Sequence, residues 1–348
     1  MPMALKWQPR CGSAQPGCRA KGMKITEALE IVSQTDPGLV RSHNEDSVAC
    51  APADGLVVLA DGMGGYNAGE VASGIAVSVV ATEISYRLQN ASPIDRVNTG
   101  ALAPSPHSDS TEGNGLITPA AVGGEAGAQL ESEPVSGDEL GVLLLRENIQ
   151  KANAAIFHAA QSQPQYSGMG TTIVAGLFYD NRIAVAHVGD SRMYRLRGER
   201  LEVITRDHSL LQEQIDGGII SVEDARYSKN KNLVTRAVGI DPEVAVEIHV
   251  YDVEVGDIYL LCSDGLNDML EDEDIQNMLH AMRSNLPLAA EQLVQMANDN
   301  GGRDNVSVIL VKVKDKFAVP RSWQAKLFDW ADANFMKLRQ IYDVQVKR

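Results

Sequence analysis

Four apolar runs along the chain have the length and composition of buried β-strands, and an aspartate stands near one end of each. Valine, isoleucine and leucine dominate the runs, and small residues beside each acid allow the backbone to turn sharply. An aspartate that only ends a strand in a turn is the alternative for any single run. The runs and their aspartates are 56–65 with Asp61, 183–192 with Asp190, 258–266 with Asp264 and 301–313 with Asp304.

Helical periodicity follows the first of these runs. Residues 69–88 and 139–161 carry apolar side chains at three- and four-residue steps, which predicts two amphipathic helices. The segment between them, residues 91–137, is rich in proline, glycine, serine and acids and has no sustained period. Such a composition buries too little apolar area to offset its ordering entropy, so we expect a disordered insertion.

The two ends of the chain differ from the region between them. Residues 1–22 are irregular and rich in glycine, proline and glutamine, and we expect a flexible leader before a domain at residues 23–316. Residues 317–348 place tryptophan, leucine and phenylalanine at helical steps, which predicts an amphipathic C-terminal helix. This helix either packs back on the domain or docks on a partner or a membrane surface.

Composition narrows the class of protein. The chain has 348 residues, of which 44% are hydrophobic and 22% charged, and these fractions are typical of a soluble globular protein. Its net charge of −15 gives no electrostatic basis for binding nucleic acid. No apolar run approaches the ~20 residues of a membrane-spanning helix, so we expect no integral membrane segment. Four cysteines are too few for a disulfide framework, and we expect a cytoplasmic protein.

The aspartates at the strand ends predict a metal site. Several carboxylates that lie close together repel one another and hold raised pKa values unless cations neutralise them. Oxygen ligands favour Mg²⁺ or Mn²⁺ over zinc. We therefore expect a hard divalent cation where the four aspartates meet.

An arginine stands upstream of the first acidic motif. The segment at 35–48 reads TDPGLVRSHNEDSV, and in it Arg41 precedes Glu45 and Asp46. A guanidinium is a planar fork that matches two phosphate oxygens and keeps its charge at any working pH. Arg41 is therefore the candidate phosphate-binding residue, and the alternative is an arginine that forms a surface salt bridge.

Seven short motifs in a fixed order resemble one known family. They are RSHNEDS from Arg41, DGMGG from Asp61, GMGTT from Gly168, GDSR from Gly189, DHSL from Asp207, SDGL from Ser263 and GGRDNVS from Gly301. Each motif is weak alone, but the ordered series resembles the metal-dependent serine/threonine protein phosphatases of type 2C (PPM) in their bacterial form. The resemblance extends over residues 25–314 apart from the insertion.

The resemblance implies both a fold and a metal centre. The fold is α+β, a four-layer α-β-β-α sandwich in which helices flank two central antiparallel sheets, with a flap subdomain at residues 208–239. Two Mg²⁺ or Mn²⁺ ions are implied at one end of the sandwich, and bacterial members add a third ion. Asp61 would bridge the two ions with the Gly62 carbonyl on the second, and Asp264 and Asp304 would hold the first.

Further residues are assigned through the same resemblance. Glu45 and Asp46 would act through metal-bound waters, and Asp190 together with Asp264 would hold the third ion. Thr172 matches a position close to the metals, and its role is left open.

The implied activity is hydrolysis of phosphoserine and phosphothreonine in proteins, in opposition to a cognate serine/threonine kinase in signal transduction. A hydroxide that bridges two metal ions would attack phosphorus in line, without a covalent phosphoenzyme. Arg41 and the metals would neutralise the phosphoryl oxygens.

One position departs from the family pattern. Eukaryotic relatives commonly place a histidine directly after the Asp-Gly pair of the first acidic motif, where it can protonate the leaving alkoxide. This chain has Met63, and a thioether donates no proton. The general acid that protonates the leaving alkoxide is then a metal-bound water or another group. His208 and His43 are weak candidates for this role. His187, within an apolar run, is expected to be a core residue.

Two alternatives stay open at the level of the sequence. A metal-dependent phosphohydrolase of a small phosphorylated metabolite would use the same arginine and metals. A phosphoprotein-binding regulator without catalysis predicts damage among the metal-binding acids, yet all four aspartates are present. No G-x-x-x-x-G-K-[ST] motif or kinase-type glycine-rich loop favours a nucleotide-dependent kinase.

Overall fold

A computed structural model describes residues 25–65, 68–90, 137–221, 224 and 233–317. The predicted leader (1–22), the predicted insertion (91–137, except Gly137) and the predicted C-terminal helix (317–348, except Phe317) lie outside the described residues. These three assignments therefore stay predictions.

Eleven strands, seven α-helices and one short 3₁₀ helix (Pro164–Tyr166) have their bounds within the described residues. The strands are β1 (Leu29–Asp36), β2 (Asp46–Ala51), β3 (Leu56–Met63), β4 (Gly170–Thr171), β5 (Ile173–Tyr179), β6 (Arg182–Val188), β7 (Arg192–Arg197), β8 (Arg200–Val203), β9 (Glu247–Asp252), β10 (Ile258–Cys262) and β11 (Val306–Val313). The helices are α1 (Ile25–Ala28), α2 (Ala68–Asn90), α3 (Gly137–Ser162), α4 (Leu210–Asp216), α5 (Asp264–Asn267), α6 (Asp272–Ala281) and α7 (Leu286–Asp299).

The strands form two antiparallel sheets. The five-stranded sheet has the order β1-β11-β10-β7-β8, and the six-stranded sheet has the order β2-β3-β5-β6-β9, with β4 paired to β3. Every pairing between these strands is antiparallel. Antiparallel sheets of this kind can be buried on both faces when helices cover their outer sides.

Alternation along each strand produces the layers. In β3, Leu56 and Val58 face one core, which they share with helices α2 and α3. The intervening Val57 and Leu59 face a second core between the two sheets, where they meet residues of β10 and β11 such as Leu261. A third core joins the outer face of the five-stranded sheet to helices α5, α6 and α7. The α+β four-layer sandwich predicted from the sequence is confirmed.

Helix α2 covers the six-stranded sheet. By length and composition alone it could cross a membrane, and it is the one such helix within the described residues. A core helix of a globular protein meets the same criteria. Helix α2 packs against β3 and α3. Its core-facing side chains are those of Ala72, Ala76, Val80 and Ile84.

Two details differ from the sequence-based expectation. The acidic motif at Asp61 does not end its strand, because Gly62 and Met63 continue β3 by pairing with Thr171 and Gly170 of β4. Phe317, the first residue of the predicted tail, is buried in the core between the sheets. The domain core thus extends one residue past the predicted boundary at residue 316.

The described part of the predicted flap (208–239) contains helix α4. Ser209 accepts a hydrogen bond from the N–H of Gln212 and caps this helix. Ser209 also pairs with Val234 in an isolated bridge, so the two ends of the segment are joined at its base.

Candidate metal centre

Two carboxylates stand side by side where β2 and β3 pair. Asp46 begins β2 and lies directly opposite Asp61 in the antiparallel register. Side chains at directly opposed positions project from the same face, with Cβ atoms about 4.5–5.5 Å apart. The pairing therefore holds two acids together at one end of the sandwich.

Backbone contacts fix the position of Asp61. The N–H of Thr172 and the hydroxyl of Thr171 both donate to the Asp61 carbonyl, at 2.8 and 2.7 Å. The N–H of Asp61 donates to Oγ1 of Thr172 at 3.1 Å, and that hydroxyl also contacts Ser191 at 2.7 Å. Thr172, whose role the sequence left open, thus orients the segment that carries the central acid.

Glycines permit a close approach next to Asp61. The N–H of Gly62 donates to the carbonyl of Glu45 at 3.1 Å. A Cβ atom at Gly62 would lie 2.1 Å from the carbonyl oxygen of Gly69, and one at Gly69 would lie 2.8 Å from the Glu45 carboxylate carbon. Any larger residue at either glycine would displace β3, the start of α2 or Glu45.

Asp264 comes from the other sheet. It follows β10 and opens helix α5, and the hydroxyl of Ser263 beside it donates to Oδ2 of Asp46 at 2.8 Å. The Oδ1 atoms of Asp46 and Asp264 are buried and have no hydrogen-bond partner among the described residues. Two unpaired buried carboxylate oxygens are the arrangement that a bound cation would satisfy.

The pKa values of these acids have a common cause. Burial raises the pKa of Asp61 well above its usual range, and the charges of Asp46, Asp264 and Asp190 raise it further. Burial likewise raises the pKa of Asp264 well above its usual range, and Asp190 adds the largest electrostatic contribution. These carboxylates repel one another, so a bound cation would stabilise them. Their ligand atoms are all oxygens, which fits hard divalent ions such as Mg²⁺ or Mn²⁺.

Asp190 lies just after β6, in the loop before β7. Burial raises its pKa to about 6, and the charge of Asp207 contributes next. Its own charge acts on both Asp61 and Asp264, so it belongs to the same acidic cluster. A third ion held by Asp190 and Asp264 stays a prediction.

The metal-free protein should lose stability as pH rises from about 4 to about 6. Burial raises the pKa of both Asp46 and Asp190 to about 6, so the folded protein binds these protons more tightly than the unfolded chain. The stabilisation is complete below the unfolded pKa near 4 and is lost through the folded pKa, at most about 3 kcal/mol per carboxyl. Urea unfolding of chelator-treated protein at several pH values measures this loss.

Asp190→Asn is the control for that measurement, because it removes one of the carboxyls whose pKa burial raises and should reduce the pH dependence. Added Mn²⁺ should restore stability at pH 7. A metal-free stability that rises with pH across this interval, in the native chain and the variant alike, would contradict the expectation.

Arg41 lies on the open side of the acidic cluster. Its Nη2 donates to Oδ2 of Asp304 at 2.6 Å, and its side chain is 51% exposed. The bond to Asp304 raises the pKa of the guanidinium, and Glu45 and Asp264 raise it further through their charges. A fully charged guanidinium thus stands at the edge of the predicted metal site.

A histidine pair lies beside the loop that carries Asp190. The rings of His187 and His208 stack at 4.7 Å, and with Glu247 they form a second group of potential ligands within the described residues. However, Nδ1 of His208 accepts from the N–H of Gly189 at 3.1 Å, and its Nε2 contacts Glu247 at 3.2 Å and Nη1 of Arg236 at 3.0 Å. Nε2 of His187 bonds the Arg206 carbonyl at 2.7 Å. These bonds commit both rings to structural contacts.

Three polar residues of the centre were not assigned from the sequence. They are Thr171, Ser263 and Asn305, which bond to Asp61, to Asp46 and to the loop that carries Arg41. Each lies inside one of the family motifs, GMGTT, SDGL and GGRDNVS, but the motif alone indicates no role for it.

Known proteins share this architecture. The family model Protein phosphatase 2C matches residues 40–304. A serine/threonine phosphatase stp of Listeria welshimeri is 34% identical over 282 residues, which cover 80% of this chain and 94% of that protein. The crystal structure of the Mycobacterium tuberculosis serine/threonine phosphatase PstP/Ppp superposes with a TM-score of 0.63 at 32% identity, covering 82% of this chain and 99% of the other.

A second structure of the catalytic domain of PstP, in complex with two manganese ions, has a TM-score of 0.62 at 32% identity and covers the same shares of the two chains. The chain described here therefore belongs to the protein phosphatase 2C family.

Proposed function

We propose that this protein hydrolyses phosphoserine and phosphothreonine in phosphoproteins and depends on Mg²⁺ or Mn²⁺ for activity. The carrying observation is the cluster of partly buried acids at one end of the sandwich, with the buried, unpaired oxygens of Asp46 and Asp264 inside it and Arg41 at its edge. The relatives named above are serine/threonine phosphatases, and this supports the same reaction for this chain.

The structure supports a division of roles among the acids. Asp61, whose backbone is fixed on both sides, would bridge two ions, with the Gly62 carbonyl on one of them. Asp264 and Asp304 would hold the other ion. When bound, such ions neutralise phosphoryl oxygens and lower the pKa of a coordinated water.

Glu45 and Asp46 would hold waters around the ions rather than the ions themselves. Asp46 receives the Ser263 hydroxyl on one oxygen and keeps the other unpaired, which leaves one acceptor for a water. Asp190 would contribute with Asp264 to a third site. Burial raises the pKa of Glu45, so its carboxylate gains from a nearby cation as well.

Arg41 would bind the phosphoryl group of the substrate. Its bond to Asp304 holds the guanidinium at the rim, and its half-exposed side chain can turn its remaining N–H groups toward a phosphate. Met63 offers no proton donor, and the imidazole of His208 is engaged by Gly189, Glu247 and Arg236. The leaving alkoxide would therefore take its proton from solvent held by the acidic cluster.

The partners we propose are phosphorylated proteins and a cognate serine/threonine kinase, in the cytoplasm. The predicted helix at 317–348 would serve as a docking segment for such a partner or for a membrane surface. The chain-wide charge of −15 makes basic phosphoprotein segments favourable partners.

Turnover of phosphopeptides beside a panel of phosphorylated metabolites tests this proposal. With Mn²⁺ present we expect kcat/KM for phosphoserine and phosphothreonine peptides to exceed that for sugar and nucleoside monophosphates at least about 100-fold, since a peptide adds binding surface outside the phosphate site. Excess chelator should abolish turnover, and added Mn²⁺ should restore it. A preference for one metabolite would instead support a small-molecule phosphohydrolase, and absent turnover of every substrate would support a non-catalytic regulator.

A further inference from the structure

Both polar atoms of the Asn305 side chain, Nδ2 and Oδ1, form hydrogen bonds to a single loop. Its Nδ2 donates to the carbonyls of Pro37 and His43, at 3.0 and 2.8 Å, and its Oδ1 accepts from the N–H of Glu45 at 2.8 Å. The residue is 5% exposed. Three hydrogen bonds from one buried carboxamide therefore tie down the chain between residues 37 and 45.

This loop has little apolar burial to hold it. Leu39 and Val40 are 69% and 68% exposed, and both donate their N–H groups to the carbonyl of Gly302, at 2.7 and 3.2 Å. Hydrogen bonds to residues 302–305 thus fix the position of a solvent-exposed loop. Arg41 stands in the middle of it.

Asn305 is also joined to the acids. Its own N–H donates to Oδ1 of Asp304 at 2.9 Å, while Arg41 donates to Oδ2 of the same carboxylate. A Cβ atom at Gly265 would lie 2.0 Å from the Asn305 carbonyl oxygen, so the turn of helix α5 that carries Asp264 packs directly on this backbone.

We infer that Asn305 is a positioning residue that sets the distance between the phosphate-binding arginine and the metal-binding carboxylates. Its backbone orients Asp304, and its side chain holds the loop of Arg41 against the same point. Asn305 does not contact substrate in this role, and it acts through Arg41. The inference rests on the proposed phosphate-binding role of Arg41, but the anchoring of the loop can be measured independently.

Asn305→Ala removes all three side-chain bonds and leaves the backbone bond to Asp304. We expect the KM for a phosphopeptide and the inhibition constant of inorganic phosphate to rise about tenfold, as for the loss of one to two net hydrogen bonds. Mn²⁺ affinity, measured by calorimetry, should stay within about threefold, because Asp61, Asp264 and Asp304 keep their places. Hydrogen–deuterium exchange at residues 38–44 should quicken about tenfold or more.

Asn148→Ala is the matched control. Asn148 is also buried, in helix α3, and donates to the carbonyl of Leu144 at 2.7 Å. This control should lower thermal stability without changing the phosphate inhibition constant or the exchange of residues 38–44. Asn305→Asp is a second variant that keeps the side-chain shape and the acceptor for Glu45 but cannot donate to Pro37 and His43, and it should also quicken exchange in the loop.

A purely structural role predicts a different result. If Asn305→Ala loses stability as Asn148→Ala does, while phosphate inhibition and loop exchange match the native protein, the inference is overturned. Should Asn305→Ala not fold, unchanged loop exchange in Asn305→Asp overturns it equally, and faster exchange supports it. If the native protein does not turn over phosphopeptides, the proposed function fails, while the exchange data still decide whether Asn305 anchors the loop.

Discussion

Asp264→Asn should reduce kcat/KM for a phosphopeptide by at least about 10³-fold, which corresponds to about 4 kcal/mol of transition-state stabilisation. Asparagine has nearly the same shape, but its side chain is neutral. It would therefore bind a divalent ion, together with Asp61 and Asp304, more weakly than the carboxylate does. The Oδ1 of Asp264 is buried and has no hydrogen-bond partner among the described residues, so a bound cation would stabilise the native carboxylate. Steady-state kinetics at saturating Mn²⁺ measure the loss.

The same variant should separate catalysis from folding. Without metal, Asp264→Asn removes one charge from a repelling cluster, and we expect its melting temperature to equal or exceed that of the native protein. Mn²⁺ should raise the melting temperature of the native protein more than that of the variant. Asp299→Asn, at an exposed aspartate that accepts a bond from Gln295, is the control and should keep full activity. Activity of Asp264→Asn within tenfold of native would contradict the assigned role.

Arg41→Ala should raise the KM for phosphopeptides about 10- to 100-fold, with a smaller effect on kcat. Hydrogen bonds between a guanidinium and a phosphate contribute about 1.5–3 kcal/mol, and the arginine would make them before and during the reaction. Arg41→Lys keeps the charge but loses the planar fork, so its KM should lie between those of the native protein and the alanine variant.

Stability should change little in both Arg41 variants. The bond to Asp304 lies at the surface, where such ion pairs contribute about 0–1 kcal/mol. Arg200→Ala, at the exposed start of edge strand β8, is the control for removal of a positive charge. An unchanged KM in Arg41→Ala, or an equal rise in Arg200→Ala, would argue against a phosphate-binding role for Arg41.

The pattern of apolar residues predicted individual elements well. The run at 56–65 became β3 (Leu56–Met63) because its alternate residues serve two different cores. The helix expected at 69–88 is Ala68–Asn90, since alanine and valine at helical steps pack on that sheet. Local periodicity indicates which residues are buried, and the spacing of the buried residues distinguishes a strand from a helix.

The assembly of the centre could not be predicted from local patterns. The opposition of Asp46 and Asp61 depends on the register of two strands, and the contact between Ser263 and Asp46 joins different sheets. The family motifs indicated which acids belong together, but not which contacts hold those acids in place. Asn305 shows why: its partners are backbone atoms of a distant loop, and backbone atoms carry no signature in the sequence.

Strands β1 and β11, the first and last described, are neighbours, with Leu29 opposite Val313 and Asp36 opposite Val306. During synthesis, a ribosome-bound chain that has not yet released β11 cannot complete the five-stranded sheet. Contacts between such distant segments close long loops and form late in folding. Asp304 and Asn305 immediately precede β11, so a nascent chain has no assembled centre. The metal centre would therefore assemble only after β11 has left the ribosome.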